Sequence, residues 1–191
     1  ASTEFPGDDF PKDQKDFDWQ FGGLIALEDP PKHNISEVFQ RFYQAGIQLK
    51  IITGDYLETA LSIARQAHFA GVENPLTGKE IMQMEEAQLK VAVEKTNLFA
   101  RMFPEAKLRV VEALKANGEV VAMTGDGVND APALKSAHIG VAMGKRGTET
   151  AKRAASMVII DDNLDKIADA VLLGRRIYSN FKKAVQYIIS I

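Results

Sequence analysis

EVVAMTGDGVNDAPAL, residues 119–134, passes from an apolar run into a turn that holds two glycines and two aspartates. A buried strand that stops at Thr124-Gly125-Asp126-Gly127 and resumes as a helix near Asp130 is how α/β folds present groups to a ligand. The flanking sequence repeats this grammar. Apolar runs at residues 21–27 (FGGLIAL) and 49–53 (LKIIT) enclose Ile35, Val38, Phe39, Phe42 and Tyr43 at helical spacing, which predicts a βαβ unit. Beyond it, helices are expected over 57–67 and 105–116, and strands over 98–101 and 119–123. A short helix after Asp130, a strand over 139–143, a helix from Thr148 and a strand over 157–160 complete the series. Continuous apolar strands alternating with helices predict an α/β fold, a Rossmann-like parallel sheet covered by helices on both faces.

Composition narrows what such a fold can do. At 191 residues and 46% hydrophobic content the chain can bury one substantial core. Its 23 basic and 26 acidic residues give a net charge of -3, so no general attraction to nucleic acid is expected and any polyanion must be bound locally. The absence of cysteine excludes disulfides, zinc-thiolate centres and thiol nucleophiles. Residues 1–20 are acidic and interrupted by Pro6, Gly7 and Pro11, and no run of about 18 apolar residues occurs, so neither a secretory signal nor a membrane span is expected.

Ligands of parallel sheets bind beyond the carboxyl ends of the strands. The strands would deliver Glu28 and Asp29, then Thr53-Gly54-Asp55, then Arg101, then Thr124-Gly125-Asp126-Gly127. Threonine hydroxyls and unhindered glycine N–H groups suit a phosphoryl group. Asp126 and Asp130 would repel that phosphate unless a divalent cation stood between them, and Mg²⁺ is held by one or two carboxylates plus phosphate oxygens. Lys107, one turn into the helix that follows Pro104, could neutralise charge on the same oxygens.

Thr53, Lys107 and the Gly-Asp-Gly-x-x-Asp pattern of Asp126 and Asp130 resemble the second, third and fourth motifs of the haloacid dehalogenase-like superfamily. LEDPPK, TGD, MTGDGVNDAPALKSAHIGVAMGKRGTETAKRAASMVIIDDN and GRRIYSNFKKAVQYIIS more narrowly resemble the phosphorylation domain of P-type cation-transporting ATPases. The resemblance covers nearly the whole chain from Phe21 onward. It implies that Asp126 is a Mg²⁺ ligand, with Asn129 and Asp130 shaping the site. It further implies that Thr53, Gly54, Lys107 and Asn129 contact the phosphoryl group, and that Asp55 and Arg101 lie near bound ATP. Thr53, Lys107, Asp126 and Asp130 are then the catalytic set. In the family ATP phosphorylates an aspartate, and the acyl phosphate is hydrolysed as an ion crosses the membrane. The partners implied are the nucleotide, actuator and transmembrane domains of the same pump and a transported cation; calcium leads by wording, with sodium, proton or another cation behind it.

The family's nucleophile is the Asp of an Asp-Lys-Thr-Gly-Thr motif, which occurs nowhere in these 191 residues. The resemblance therefore implies part of a pump, inactive by itself: residues 1–20 as the tail of the nucleotide-binding insertion, 21–163 as phosphorylation domain, and 164–191 as a stalk helix on the cytoplasmic side of a membrane protein. Apolar residues at 164, 167, 171, 177, 178, 181, 185 and 188 form a heptad-like seam in that helix. Two competing readings are a stand-alone phosphatase of the same superfamily and a noncatalytic module binding Mg²⁺ and phosphate. The first needs a nucleophile from within the chain. Asp16 and Asp18 follow a charged stretch and read as solvated linker. Asp161 and Asp162 read as acids at a helix start, with Asn163 as its cap. His33, His68 and His138 share no metal-ligand spacing, and EEAQLKVAVEK reads as a charged surface helix.

Overall fold

The computed structural model describes residues 2–4, 10–25, 30–32 and 34–190. The chain divides into two compact units, Ala1–Pro30 and Pro31–Ile191. Within the first, Ser2 and Gln20 exchange backbone hydrogen bonds of 3.0 and 2.8 Å as an antiparallel bridge. Asp13 caps a single 3-10 turn, Gln14–Asp16, and the Trp19 indole N–H donates to the Gln14 carbonyl at 2.6 Å. Asp16 and Asp18 are exposed, as solvated linker residues should be.

The second unit carries, in order, α1 (Ile35–Gln44), β1 (Ile51–Ile52), α2 (Leu57–Gln66), β2 (Leu76–Thr77), α3 (Gly78–Gln83), α4 (Glu86–Lys95), β3 (Leu98–Ala100), α5 (Pro104–Ala116), β4 (Ala122–Gly125), a 3-10 turn (Val128–Asp130), α6 (Ala131–Ser136), β5 (Ile139–Met143), α7 (Glu149–Ala154), β6 (Met157–Ile159) and α8 (Asp165–Ile189). All described ladders are parallel. They form two three-stranded sheets, β1-β3-β2 and β4-β5-β6, with Ile52 opposite Phe99 in one and Gly125 opposite Ala142 in the other. The α/β architecture of parallel strands and covering helices is therefore borne out.

Helix starts follow from local chemistry. Pro104 opens α5, where its missing N–H costs nothing. Thr148 caps α7 by accepting the Ala151 N–H, and Thr77 with Glu80 forms a reciprocal capping box at α3. Those Thr77 hydrogen bonds hold the Glu80 carboxyl below its usual range. One core cluster joins Ile81, Leu89, Val93, Phe99 and Val110; another joins Val111, Met123, Leu134, Ala142 and Ala151. Ile52 and Val121 touch both, so the core runs continuously beneath the two sheets. Burial of side chains of this size contributes about 1.5–3 kcal/mol each. EEAQLKVAVEK proves to be α4, exposed on its charged face but anchored by buried Leu89 and Val93.

Two sequence expectations need correction. Residues 21–25 form no strand, and Phe21, Leu24 and Ile25 are 76%, 91% and 90% exposed; the remainder of that run, with Glu28 and Asp29, lies outside the described residues, as does His33. An apolar run is only a candidate strand until a neighbour supplies N–H and C=O partners, which periodicity does not report. The strand of residues 119–123 begins later, at Ala122, and continues through Gly125.

The apolar packing of helix α8 among the described residues lies at its start. Val38 and Phe42 of α1 meet Ala168, Leu164 and Ile167, and Arg41 pairs with Asp165 and, at 2.6 Å, with Asp169. Farther along the expected seam, Ile177, Tyr178, Phe181 and Ile188 are exposed among the described residues. Arg175, farther along the helix, donates to the Ala45 carbonyl. No helix among the described residues is long and apolar enough to cross a membrane.

Candidate functional site

Strand β4 ends at Gly125, and the chain turns back on itself at once. A Cβ on Gly125 would stand 2.6 Å from Asp130 Cβ, so only glycine lets the turn close. The closure brings Asp130 beneath the loop, 7% exposed, where Oδ2 accepts the N–H groups of Gly127 at 3.2 Å and Asp126 at 3.3 Å. Its Oδ1 accepts from Lys107 Nζ at 2.7 Å. The cation that paired acids require here is thus supplied in part by Lys107 itself.

Asp126 is fixed through its backbone on both sides. Its N–H goes to Asp130, and its carbonyl accepts the Thr148 N–H at 2.8 Å from the β5–α7 loop. Its side chain is exposed, as is Asn129. Among the described residues no group of three or more His, Asp or Glu side chains is placed to hold a metal. Magnesium does not require one, since it commonly takes one or two carboxylates and fills the rest of its octahedron with water and phosphate. The donor set fits Mg²⁺ with Asp126 as the single open carboxylate; Asp130 is committed to Lys107 and two N–H groups.

A second polar group forms where β1 meets β3. The Thr53 hydroxyl donates to Asp55 Oδ2 at 2.8 Å while accepting the Asp55 N–H at 3.1 Å, a closed loop around Gly54. The Arg101 N–H donates to the Asp55 carbonyl at 2.8 Å, and the Met102 N–H to the Thr53 carbonyl at 2.9 Å. Arg101 adopts φ 50° and places its guanidinium 4.5 Å from the centroid of the Tyr56 ring, a cation-π contact. Thr53, Gly54, Asp55 and Arg101 are therefore gathered in one cluster, and Lys107, Asp126, Asn129 and Asp130 in another. No described hydrogen bond or ion pair joins the two. The segment from β3 into α5 serves both, with Arg101 in the first and Lys107 in the second.

Sequence reasoning missed two participants. Tyr56 has no signal beyond its place after Thr53-Gly54-Asp55. By sequence Asp162 is an acid suited to a helix start, but its carboxylate instead accepts the Lys145 and Arg146 N–H groups, each at 3.0 Å, in the loop that precedes α7. Asn163 does meet α8, accepting the Asp165 N–H at 3.1 Å. The two described histidines serve structure: His138 Nδ1 accepts the Val121 N–H at 3.1 Å, and His68 Nδ1 lies 3.2 Å from the Ser36 hydroxyl.

Comparison with known proteins gives a consistent picture. Residues 5–138 match the haloacid dehalogenase-like hydrolase family. A calcium-transporting ATPase of Bacillus subtilis is 41% identical over 179 residues, 93% of this chain and 20% of that protein. Human calcium-transporting ATPase type 2C member 2 is 43% identical over 89% of this chain and 18% of its own length. A probable cation-transporting ATPase F of Mycobacterium bovis is 46% identical over 86% of this chain and 19% of its own. The chain spans about a fifth of the length of these relatives. Among solved structures, the catalytic domain of the CPx-ATPase CopB-B shares the fold with a TM-score of 0.56 at 24% identity, over 73% of this chain and 45% of that one.

Proposed function

The chain belongs to the haloacid dehalogenase-like hydrolases, and from that premise we propose that it forms part of the phosphorylation domain of a P-type cation-transporting ATPase. The observation that carries this reading is the arrangement around Asp130, where Lys107 and two loop N–H groups hold a buried carboxylate while the Asp126 carboxylate stays open at the strand end.

In the proposed mechanism Asp126 is the protein's ligand for Mg²⁺, which when bound supplies positive charge against the phosphoryl oxygens. Asp130 keeps the Asp126 peptide in place and orients the Lys107 ammonium. The Lys107 charge is set close enough to the loop to offset negative charge developing on the transferring group. The Thr53 hydroxyl leaves Asp55 to donate to a phosphoryl oxygen, with the Gly54 N–H beside it, and Asn129 borders the same space. Asp55 and Arg101, with Tyr56 under the guanidinium, contribute to the ATP side of the site. The aspartate that accepts the phosphoryl group would come from the Asp-Lys-Thr-Gly-Thr motif that these 191 residues do not contain, so this chain alone transfers no phosphate. The names of the relatives make Ca²⁺ the cargo we propose, with transport across a membrane whose cytoplasmic face carries this domain.

The test is direct. Purified chain incubated with γ-labelled ATP and Mg²⁺ should acquire no label, whereas the full pump should form an acid-stable phosphoenzyme that Asp126→Ala abolishes. Near-normal phosphorylation of that variant would remove Asp126 from the metal site. ATP-dependent Ca²⁺ uptake into vesicles bearing the full pump would identify the cargo.

A further inference from the structure

Asp162 is 6% exposed, lies in no helix or strand, and adopts φ 56°, an uncommon conformation for a residue other than glycine. Its surroundings account for the conformation. The two carboxylate oxygens take the successive N–H groups of Lys145 and Arg146 at 3.0 Å each, and its carbonyl accepts from Lys32 Nζ at 2.8 Å. Nothing in the proposed reaction uses this carboxylate directly.

The loop it holds has a second attachment. Three residues after Lys145, the Thr148 N–H donates to the Asp126 carbonyl at 2.8 Å. The start of that loop is closely packed as well, since a Cβ on Gly144 would stand 2.6 Å from the Ile159 carbonyl oxygen, and the Gly144 N–H donates to that same oxygen at 2.8 Å. Residues 144–148 are thus held at one end by β6 and at their centre by Asp162, and they bear on Asp126 at the other end.

We propose that Asp162 is a positioning residue for the Mg²⁺ site: by clamping the Lys145 and Arg146 N–H groups it fixes the loop whose Thr148 N–H orients the Asp126 peptide. The inference rests on the assignment of Mg²⁺ to Asp126. Hydrogen bonds that orient a ligand from behind carry about 10–100-fold in metal affinity. The Lys145 N–H, helped by those of Arg146 and Gly144 and by the Lys32 charge, holds the Asp162 carboxyl below its ordinary range despite burial, so the clamp is ionised at neutral pH.

Asp162→Asn keeps the shape but turns an amide N–H₂ toward one of the two loop donors. Thr148→Pro removes the N–H donor of the last link and also the Thr148 hydroxyl cap, at a backbone φ of −67° that proline adopts without strain. Val93→Ala, a cavity variant in α4, controls for general loss of stability. The readout is a Mg²⁺ titration of the 15N-labelled chain, following the amide resonances of Asp126 and Gly127. The expected result is a saturable response in the wild-type chain and in Val93→Ala, with a dissociation constant at least tenfold higher in Asp162→Asn and in Thr148→Pro. Should Asp162→Asn fail to fold, Asp162→Glu, which keeps the carboxylate but sets it one methylene away from the Lys145 and Arg146 N–H groups, takes its place. Equal affinities in the wild type and both loop variants would overturn the positioning role while leaving the metal at Asp126. No response at Asp126 in the wild-type chain would overturn the metal assignment, and the positioning role with it.

Discussion

Lys107 Nζ stands 2.7 Å from Asp130 Oδ1, with 13% and 10% of the two side chains exposed. A pair this sheltered is costly to break from one side, because the partner is left charged and buried. Lys107→Met should therefore destabilise the chain by about 3 kcal/mol, the low end of what breaking a buried pair costs. Urea denaturation checks this. A midpoint unchanged from wild type would show that the two backbone N–H groups satisfy Asp130 without Lys107.

Gly125 is where the turn admits no side chain. Gly125→Ala would push the new Cβ into Asp130, and relief of that overlap should cost about 1–3 kcal/mol. The damage should be local as well as global. Hydrogen exchange at the Asp126 and Gly127 amides, which donate to Asp130, should accelerate more than exchange in β3, and uniform acceleration would refute the mechanism.

Lys50 should make stability depend on pH on the alkaline side. Its ammonium donates to the Val93 and Thr96 carbonyls, 2.7 Å each, at the end of α4, and to Asn97 Oδ1 at 3.1 Å. Burial pushes its pKa down to about 8 from 10.5, against the raising pull of Glu119 and Glu94. Between those values the unfolded chain holds more protons than the folded one, so the contribution of Lys50 to stability rises with pH across that window. The difference in unfolding free energy between wild type and Lys50→Met should grow from pH 8 to pH 10; a constant difference would be the contrary result.

Asp169 gives the same sign of slope, in an acid window. Hydrogen bonding to Arg41 holds its carboxyl below 3.8, so the stability it brings is present above that value and is lost as pH falls through the folded pKa. Arg41→Ala should return the Asp169 pKa toward 3.8, measured by carbon-13 titration of its carboxyl. An unmoved pKa would mean that Arg41 and Asp169 do not pair in solution.

What the sequence disclosed was what depends on near neighbours. The turn after β4 is legible because glycine and aspartate act within five residues of each other, and α1 because Val38 and Phe42 fall on one helical face. What stayed hidden depends on distant partners. The ladder that residues 21–25 lack could not be inferred from their apolar character, and β2 is too short for any period to register. Its helix α3 did leave a signal, since Thr77-x-x-Glu80 is a capping box. At the site, residue identity gave Thr53, Lys107, Asp126 and Asp130, but not that Thr53 closes on Asp55 or that Lys107 engages Asp130. The grip of Asp162 on N–H groups 16 and 17 residues earlier belongs to the same hidden class.

Helix α8 has its packing at one end and its length at the other. Its 25 residues extend about 38 Å at 1.5 Å per residue. Ala168 and the Arg41 ion pairs form a fulcrum in its first turns, and the remainder is a lever arm. The arm from Asp169 to Ile189 is about 30 Å, so a rotation of one degree at that fulcrum would sweep the far end through about 0.5 Å, and a tilt of about six degrees would move it by about 3 Å.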